Sequence, residues 1–325
     1  MAPDPLATVS LGRTSLSVTR LGLGGAPLAT IFWGNTDEQA RSTVERALGR
    51  GIRLFDTAPL YGLGESERRL GAVLRGVERD SITLATKVGR LIRPSLEDPG
   101  SMDAVFDFSS DAVRRSLYES LERLGLERVD VVHIHDPDDH LSEVLQGTIP
   151  ALEALRSEGT ISAISAGANH PAPLLRLVTE ADLDCVMIAG RYTLLDQSAL
   201  DGLLPACAAR DVAVIAAGVF NSGVLARPLP GSWYDYGPAE PQILERVEAL
   251  GEVCERHGVP LQAAAVQFPF GHEAVACEVI GMRSPQEVDD NLAWLRTDIP
   301  VAVWSEMKDA GLLVEGAPTP SGRRP

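Results

Sequence analysis

Three apolar runs in this chain end in polar residues that could act together on one proton. The first reads Leu54-Phe55-Asp56-Thr57-Ala58, with Tyr61-Gly62 just beyond it. The second ends Ala85-Thr86-Lys87, and the third ends His133-Ile134-His135-Asp136. A tyrosine hydroxyl has a pKa near 10 and is a poor acid or base at neutral pH. A buried lysine cation beside it favours the phenolate and lowers that pKa. A buried aspartate keeps the lysine charged by ion pairing. A histidine can hydrogen-bond the same substrate oxygen. Such a set moves a proton on or off a carbonyl or alcohol oxygen. It has no nucleophile and no metal cage, so the missing partner is a hydride carrier.

The elements that must position these residues alternate with regularity. Strand candidates fall at 20–25, 53–58, 82–88, 129–136, 161–167, 184–190, 212–218 and 278–282. Helical patterns lie between them, at about 36–50, 64–75, 109–124, 141–157, 171–180, 196–209, 241–270 and 284–295. The long one breaks at Gly258-Val259-Pro260, and a further helix spans about 300–312. Residues 8–19 alternate around Gly12-Arg13-Thr14, which predicts a short N-terminal hairpin. Thr36-Asp37-Glu38-Gln39 and Ser109-Ser110-Asp111 open helices, and Ser284-Pro285-Gln286-Glu287 reads as a capping box with proline in the first turn. The strands are nearly continuous apolar runs, as parallel strands covered on both faces should be. Eight β/α units predict a single (β/α)8 TIM barrel with an N-terminal hairpin and extra C-terminal helices. The predicted organisation is one domain over 1–325, with its core at 8–312 and a flexible tail at 313–325. A doubly wound sheet would want GxGxxG after the first strand, but Gly22-Leu23-Gly24-Gly25-Ala26-Pro27 offers no third glycine in place. In a barrel the chemistry sits at the C-terminal ends of the strands, where these polar residues fall.

Composition agrees with a globular chain. The 325 residues are 45% hydrophobic and 23% charged, and 29 Lys+Arg against 45 Asp+Glu give a formal charge of -16. That field repels polyphosphate and argues against nucleic-acid binding. Cys185, Cys207, Cys254 and Cys277 show no metal spacing and read as buried thiols in a reducing compartment. No signal-like start and no apolar run of membrane length is seen, so the expectation is a cytoplasmic protein without a membrane partner.

The motif Phe55-Asp56-Thr57-Ala58-Pro59-Leu60-Tyr61-Gly62 resembles the aldo-keto reductase signature. Ala85-Thr86-Lys87 and Val129-Asp130-Val131-Val132-His133-Ile134-His135-Asp136-Pro137 match two further strands of that family, in its order and spacing. The resemblance covers about residues 8–312. It implies that Asp56, Tyr61, Lys87 and His135 are catalytic, with His135 rather than His133 the family's histidine. Phe106-Asp107-Phe108-Ser109, His135-Asp136-Pro137-Asp138-Asp139 and Ala189–Gln197 are similar to one branch, which includes L-fucose, D-threo-aldose and pyridoxal 4-dehydrogenases. That branch implies oxidation of an aldose such as L-fucose at C1 to the lactone. Pyridoxal 4-dehydrogenase and general aldehyde or ketone reductase are the alternatives.

The resemblance also implies a cofactor, NAD with NADP possible. Asn169 matches the residue that grips the nicotinamide carboxamide. Phe220, Ser222, Gly223 and Leu225 match the pyrophosphate loop. Gly281, Arg283, Glu287 and Asn291 match the adenosine site, where a helix N-terminus suits an anion. Three positions depart from the family. Ala217-Gly218 falls where an aromatic stacks on the nicotinamide, Ala189 replaces a glutamine, and Glu287 replaces an arginine that meets the 2′-phosphate. A carboxylate there favours NAD, with Arg283 pulling the other way. Trp33, Arg191, Trp233 and Tyr234, with Tyr236 nearby, are the candidate substrate contacts, because sugar sites use aromatic faces with a few polar groups. The expected partner is a small aldose or aldehyde, bound by a monomer or homodimer.

Other readings compete. His133-Ile134-His135 could be a metal pair, as in barrel hydrolases, but the further ligand in view is only His170, so no metal is expected. A third reading is a nucleotide-binding barrel without turnover. His133 shares a strand face with His135 and reads as a hydrogen-bonded residue of the barrel interior.

Overall fold

The computed structural model describes residues 4–30, 34–98, 100–229 and 231–320. Strands β1 (Thr8–Ser10) and β2 (Ser17–Thr19) pair antiparallel as the predicted hairpin. Strands β3 (Leu21–Gly24), β4 (Leu54–Asp56) and β5 (Thr83–Val88) then enter the barrel. The chain next leaves the barrel for a second hairpin, β6 (Arg90–Pro94) and β7 (Met102–Phe106). It returns as β8 (Val131–His135), β9 (Ala163–Ala168), β10 (Cys185–Ala189) and β11 (Ala213–Ala217). A minimal pair, β12 (Trp233–Tyr234) and β13 (Gly237–Pro238), precedes the last barrel strand, β14 (Val275–Gly281). The closed order is β3-β4-β5-β8-β9-β10-β11-β14, with β14 pairing back to β3, all parallel. This is the (β/α)8 barrel expected from the sequence.

Side chains alternate along a strand, so one set fills the barrel and the other meets the helices. Leu54, Ala85, Val131, Ala163, Cys185, Met187, Ala213, Ile215, Cys277 and Val279 form the inner cluster. Leu11 and Val18 of the first hairpin join it. That hairpin lies against Asp184, just before β10, and so closes the N-terminal end of the barrel. Phe55, Leu84, Val132, Ile134, Ile164 and Val186 point the other way, into the core shared with the helices.

The helices start where the capping residues place them. Thr36 and Gln39 form a full capping box before Asp37–Arg50. Ser109 accepts from Ala112 N before Ser110–Leu124. Ser284 caps Pro285–Arg296, but the Glu287 carboxylate takes the Arg283 N–H instead of completing a box.

Three expectations change. The last barrel strand begins at Val275, three residues early, because the fold buries Glu278 completely where a charged residue broke the apolar run. The β6–β7 hairpin was not expected, although Asp98-Pro99-Gly100 between its two short strands is a turn signal; their mixed polar and apolar residues carry no regular alternation. The tail expected to be flexible from 313 is packed over its described part: Leu313 and Ala317 are buried in the core, and Val314 N donates to Gln197 Oε1. Residues 321–325 lie outside the described residues.

Candidate active site

The inward row continues past the small apolar residues of the barrel. Asp56 is two residues beyond Leu54, and Lys87 two beyond Ala85. His133 and His135 stand two and four beyond Val131. All four therefore face the barrel axis at or near its C-terminal end. Tyr61 arrives from the loop after β4. Gly62 makes that loop possible: its φ is +61°, and a Cβ there would lie 2.6 Å from that of Ala29. Outside the barrel Thr86 donates to Glu67, which also holds Arg123, and this anchors the strand that carries Lys87.

Lys87 Nζ lies 2.6 Å from each oxygen of Asp56 and 3.1 Å from the Thr57 carbonyl. It stands 5.1 Å from the centre of the Tyr61 ring, whose edge meets His135 at 6.1 Å between ring centres. Asp56 and Lys87 are almost fully buried. Burial raises the Asp56 pKa, against the pull of Lys87. Burial, then the Lys87 charge, holds both histidines well below their ordinary range, so each is neutral. His133 is fully buried, with Nδ1 2.8 Å from Ser165 Oγ. Its approach to Asp56, at 3.4 Å, is the contact of a neutral ring rather than an ion pair. This is the interior role expected of it.

The expected lowering of the Tyr61 pKa is not what the structure has. Burial raises it well above 10, and the charge of Asp56 adds to the rise. Lys87 is neutralised by Asp56 and sits over the ring. The cation that opposes the rise is Arg90, at the start of the unexpected hairpin.

Arg90 reaches its place through Gly89, whose φ is +100° and whose Cβ would clash with the Phe108 ring at 2.2 Å. Its guanidinium lies 4.1 Å from the centre of the Phe106 ring and donates to Asp136 Oδ2 at 2.6 Å. That oxygen is 3.7 Å from His135 Nε2. Sequence reasoning missed Arg90. The signal available was its position three residues past Lys87, directly beyond a barrel strand.

A shallow cleft runs beside the tetrad, lined by Asn169, Gly190, Arg191, Gly218, Asn221, Ser222 and Tyr236 among others. Asn169, Ser222 and Arg191 are thus brought together as expected. Asn221, Ser222 and Gly223 all have positive φ, which wraps the loop tightly at the cleft edge. Phe220 and Leu225 of the same loop turn their side chains away from the cleft. Phe220 packs edge-on against Trp294, and Leu225 is buried in the core with its N–H donated to the Phe220 carbonyl. They shape the loop from behind, because the tight turn directs their side chains inward.

Arg191 is tied to Asp235 at 2.8 Å and approaches Asp196. Trp233 points to solvent, and Tyr234 packs against the core. Neither lines the cleft. The aromatic that does is Tyr236, which lines it together with Asn169. Strand pairing of Trp233 and Tyr234 with β13 turns those two away and leaves Tyr236 in the turn. Trp33 lies outside the described residues. His170 is exposed and pairs with Asp138 at 2.6 Å. Among the described residues no group of three or more His, Cys, Asp or Glu could hold a metal ion.

The residues expected at the adenosine end lie around the start of the helix Pro285–Arg296. Arg283 gives Glu287 three hydrogen bonds, at 2.7, 2.9 and 2.7 Å, so cation and carboxylate neutralise each other. Gly281 is exposed at the end of β14. Asn291 is buried; its amide donates to the Glu287 carbonyl and its Oδ1 has no partner. Asn221 Oδ1 is also buried without a partner. Buried acceptors left open in this way fit a ligand that brings donors.

The parallel barrel thus brings an inward Asp–Lys pair, a neutral histidine and a tyrosine together at one end, a set of groups able to move a proton. The chain belongs to the aldo/keto reductase family, whose sequence pattern matches residues 20–311. It is 40% identical to D-threo-aldose 1-dehydrogenase of a Pseudomonas species, over 94% of this chain and 96% of that one. It is 38% identical to pyridoxal 4-dehydrogenase of Microbacterium luteolum, over 94% and 97% of the two chains. Among solved structures it is similar to an aldo-keto reductase of Bacillus halodurans in its holo form, with a TM-score of 0.77, 26% identity and coverage of 94% and 96%. The protein is an NAD(P)-dependent oxidoreductase.

Proposed function

We propose that the enzyme oxidises the anomeric carbon of an aldose such as L-fucose to a lactone, with NAD as the preferred cofactor. The observation that carries this reading is the inward row of Asp56, Lys87 and His135 facing Tyr61. The 40% identity to a D-threo-aldose dehydrogenase supports the substrate class. Tyr61 takes the proton of the anomeric hydroxyl. Neutral His135 donates a hydrogen bond to the same oxygen and fixes its direction. Lys87 holds positive charge beneath the Tyr61 ring, and Asp56 keeps Lys87 charged. The bound nicotinamide supplies the acceptor for the hydride that leaves C1.

The residues that would hold the cofactor follow the cleft. Asn169 would take the carboxamide, Ser222 and Gly223 the pyrophosphate, and Gly281, Arg283, Glu287 and Asn291 the adenosine. Tyr236 stands in the cleft with Asn169 and supplies an aromatic face that Ala217 and Gly218 lack. Four unpaired, buried cysteines support a reducing, cytoplasmic setting. The raised Tyr61 pKa favours a second reading, aldehyde reduction, because a protonated phenol is the acid that direction needs. The test is a panel of aldoses, pyridoxal and simple aldehydes with NAD(H) and NADP(H), followed at the nicotinamide absorbance. Turnover of pyridoxal or simple aldehydes without any aldose would overturn the aldose reading.

A further inference from the structure

We propose that Arg90 and Asp136 form the element that recognises the substrate hydroxyl next to the reacting carbon, and so make this enzyme selective for polyhydroxylated substrates. The inference rests on the aldose reading. One oxygen, Asp136 Oδ2, is held at 2.6 Å by Arg90 and stands 3.7 Å from His135 Nε2. The second distance is too long for a direct hydrogen bond. The carboxylate therefore flanks the ring edge that would meet the reacting oxygen.

Both side chains are partly exposed at the mouth and so can meet a ligand. Both are also held still. Asp136 has φ of +46° and donates its N–H to the Gly167 carbonyl. Arg90 lies over Phe106, which stacks on Phe108, and His140 lies against both rings. The Arg90 Nε is buried and has no partner. A carboxylate accepts from a hydroxyl, and a guanidinium donates to one, in fixed planar geometry. Side by side, they match adjacent hydroxyls on a carbon chain. Asp136 takes the hydroxyl at C2, and Arg90 donates to the next oxygen. Because the two groups already satisfy each other, a substrate lacking the hydroxyl leaves no bare charge. Discrimination should thus be about 10- to 100-fold, below the 10⁴–10⁵ reached where a buried polar group is left unpaired.

The test compares an aldose with its 2-deoxy counterpart, in the wild type, Asp136→Asn and Arg90→Met, with an unhydroxylated aldehyde reduced as reference. Asparagine tolerates the positive φ at 136, and methionine retains the apolar stem over Phe106. The expected result is a wild-type kcat/KM at least tenfold higher for the parent aldose. In both variants that ratio collapses toward one, chiefly through KM for the parent aldose. Equal losses for parent and deoxy substrates, or an unchanged ratio, would overturn the proposal while the aldose reading stands. A wild type that reduces the simple aldehyde but oxidises no aldose would overturn both.

Discussion

Lys87 spends both of its shortest contacts on the two oxygens of Asp56, at 2.6 Å each, and meets Tyr61 at the ring, 5.1 Å from its centre. The pair is closed on itself. The tyrosine's raised pKa therefore follows first from its burial and then from the charge of Asp56, with Arg90 opposing.

Tyr61→Phe should abolish turnover, with a loss of 10²-fold or more, while cofactor affinity stays nearly unchanged. The hydroxyl is the proposed acid/base, and such proton transfers are worth about 10²–10⁴-fold. Steady-state rates with nucleotide titration by fluorescence decide it. More than a tenth of the wild-type rate would remove Tyr61 from the mechanism.

Lys87→Met should cost stability as well as activity. It leaves the Asp56 carboxylate buried without its cation, a loss of about 3–5 kcal/mol for a broken buried pair. Lys87→Met combined with Asp56→Leu should recover much of the stability and none of the activity. Denaturant melts of the two single variants and the double variant measure the coupling. Additive losses would mean the two charges act independently.

The pH dependence should differ by direction. Oxidation needs Tyr61 without its proton, and its pKa lies above 10, so kcat for oxidation should climb through the alkaline range. Reduction needs the proton present, so its rate should be flat from neutral pH upward until the same limb. Arg90 opposes the rise, so Arg90→Met should move the oxidation limb further up. Profiles in both directions check this; an oxidation rate already level below pH 8 would contradict it.

Cofactor choice should turn on the Arg283–Glu287 pair. Two unit charges at about 4 Å interact by roughly 4 kcal/mol at an effective dielectric near 20. Exposure and pairing with Arg283 cut the repulsion of a 2′-phosphate to about one or two, a finite preference for NAD. Glu287→Arg removes the carboxylate and releases Arg283 from three hydrogen bonds. NADP should then gain about tenfold or more over NAD in kcat/KM, measured for both proteins at one ionic strength. A wild type that prefers NADP would show that another group selects the cofactor.

Glu278 should make stability fall as pH rises. Its carboxyl is fully buried, neither oxygen has a partner, and burial raises its pKa well above the usual range. The folded state therefore keeps a proton that the unfolded chain releases above about pH 4.3. The stabilising difference is complete below that pH and is lost as pH climbs toward the folded pKa. Glu278→Met should raise Tm at pH 7–8 and flatten its dependence on pH. Parallel wild-type and variant curves from pH 5 to 8 would refute the buried-acid account.

The barrel was legible because its physics is periodic. Apolar runs buried on both faces, separated by capped helices, admit few other folds, and each of the eight strands was anticipated in its place. The inward direction of Asp56, Lys87, His133 and His135 follows from a two-residue repeat anchored on Leu54, Ala85 and Val131. What no spacing could decide was distance across the barrel. His133 and His135 share a face, and depth alone gives one to Ser165 and leaves the other beside Tyr61. The sign of the Tyr61 shift is a balance of burial against charges a few ångströms away, so it waited on the Asp56–Lys87 closure. Arg90 reaches the site at the start of β6 and Tyr236 in the β12–β13 turn, excursions from the barrel whose course is set by contacts such as Gly89 against Phe108 and Tyr236 N to Ser222 Oγ. Those contacts join residues far apart in the chain or turn it at one glycine, and local pattern carries no record of them.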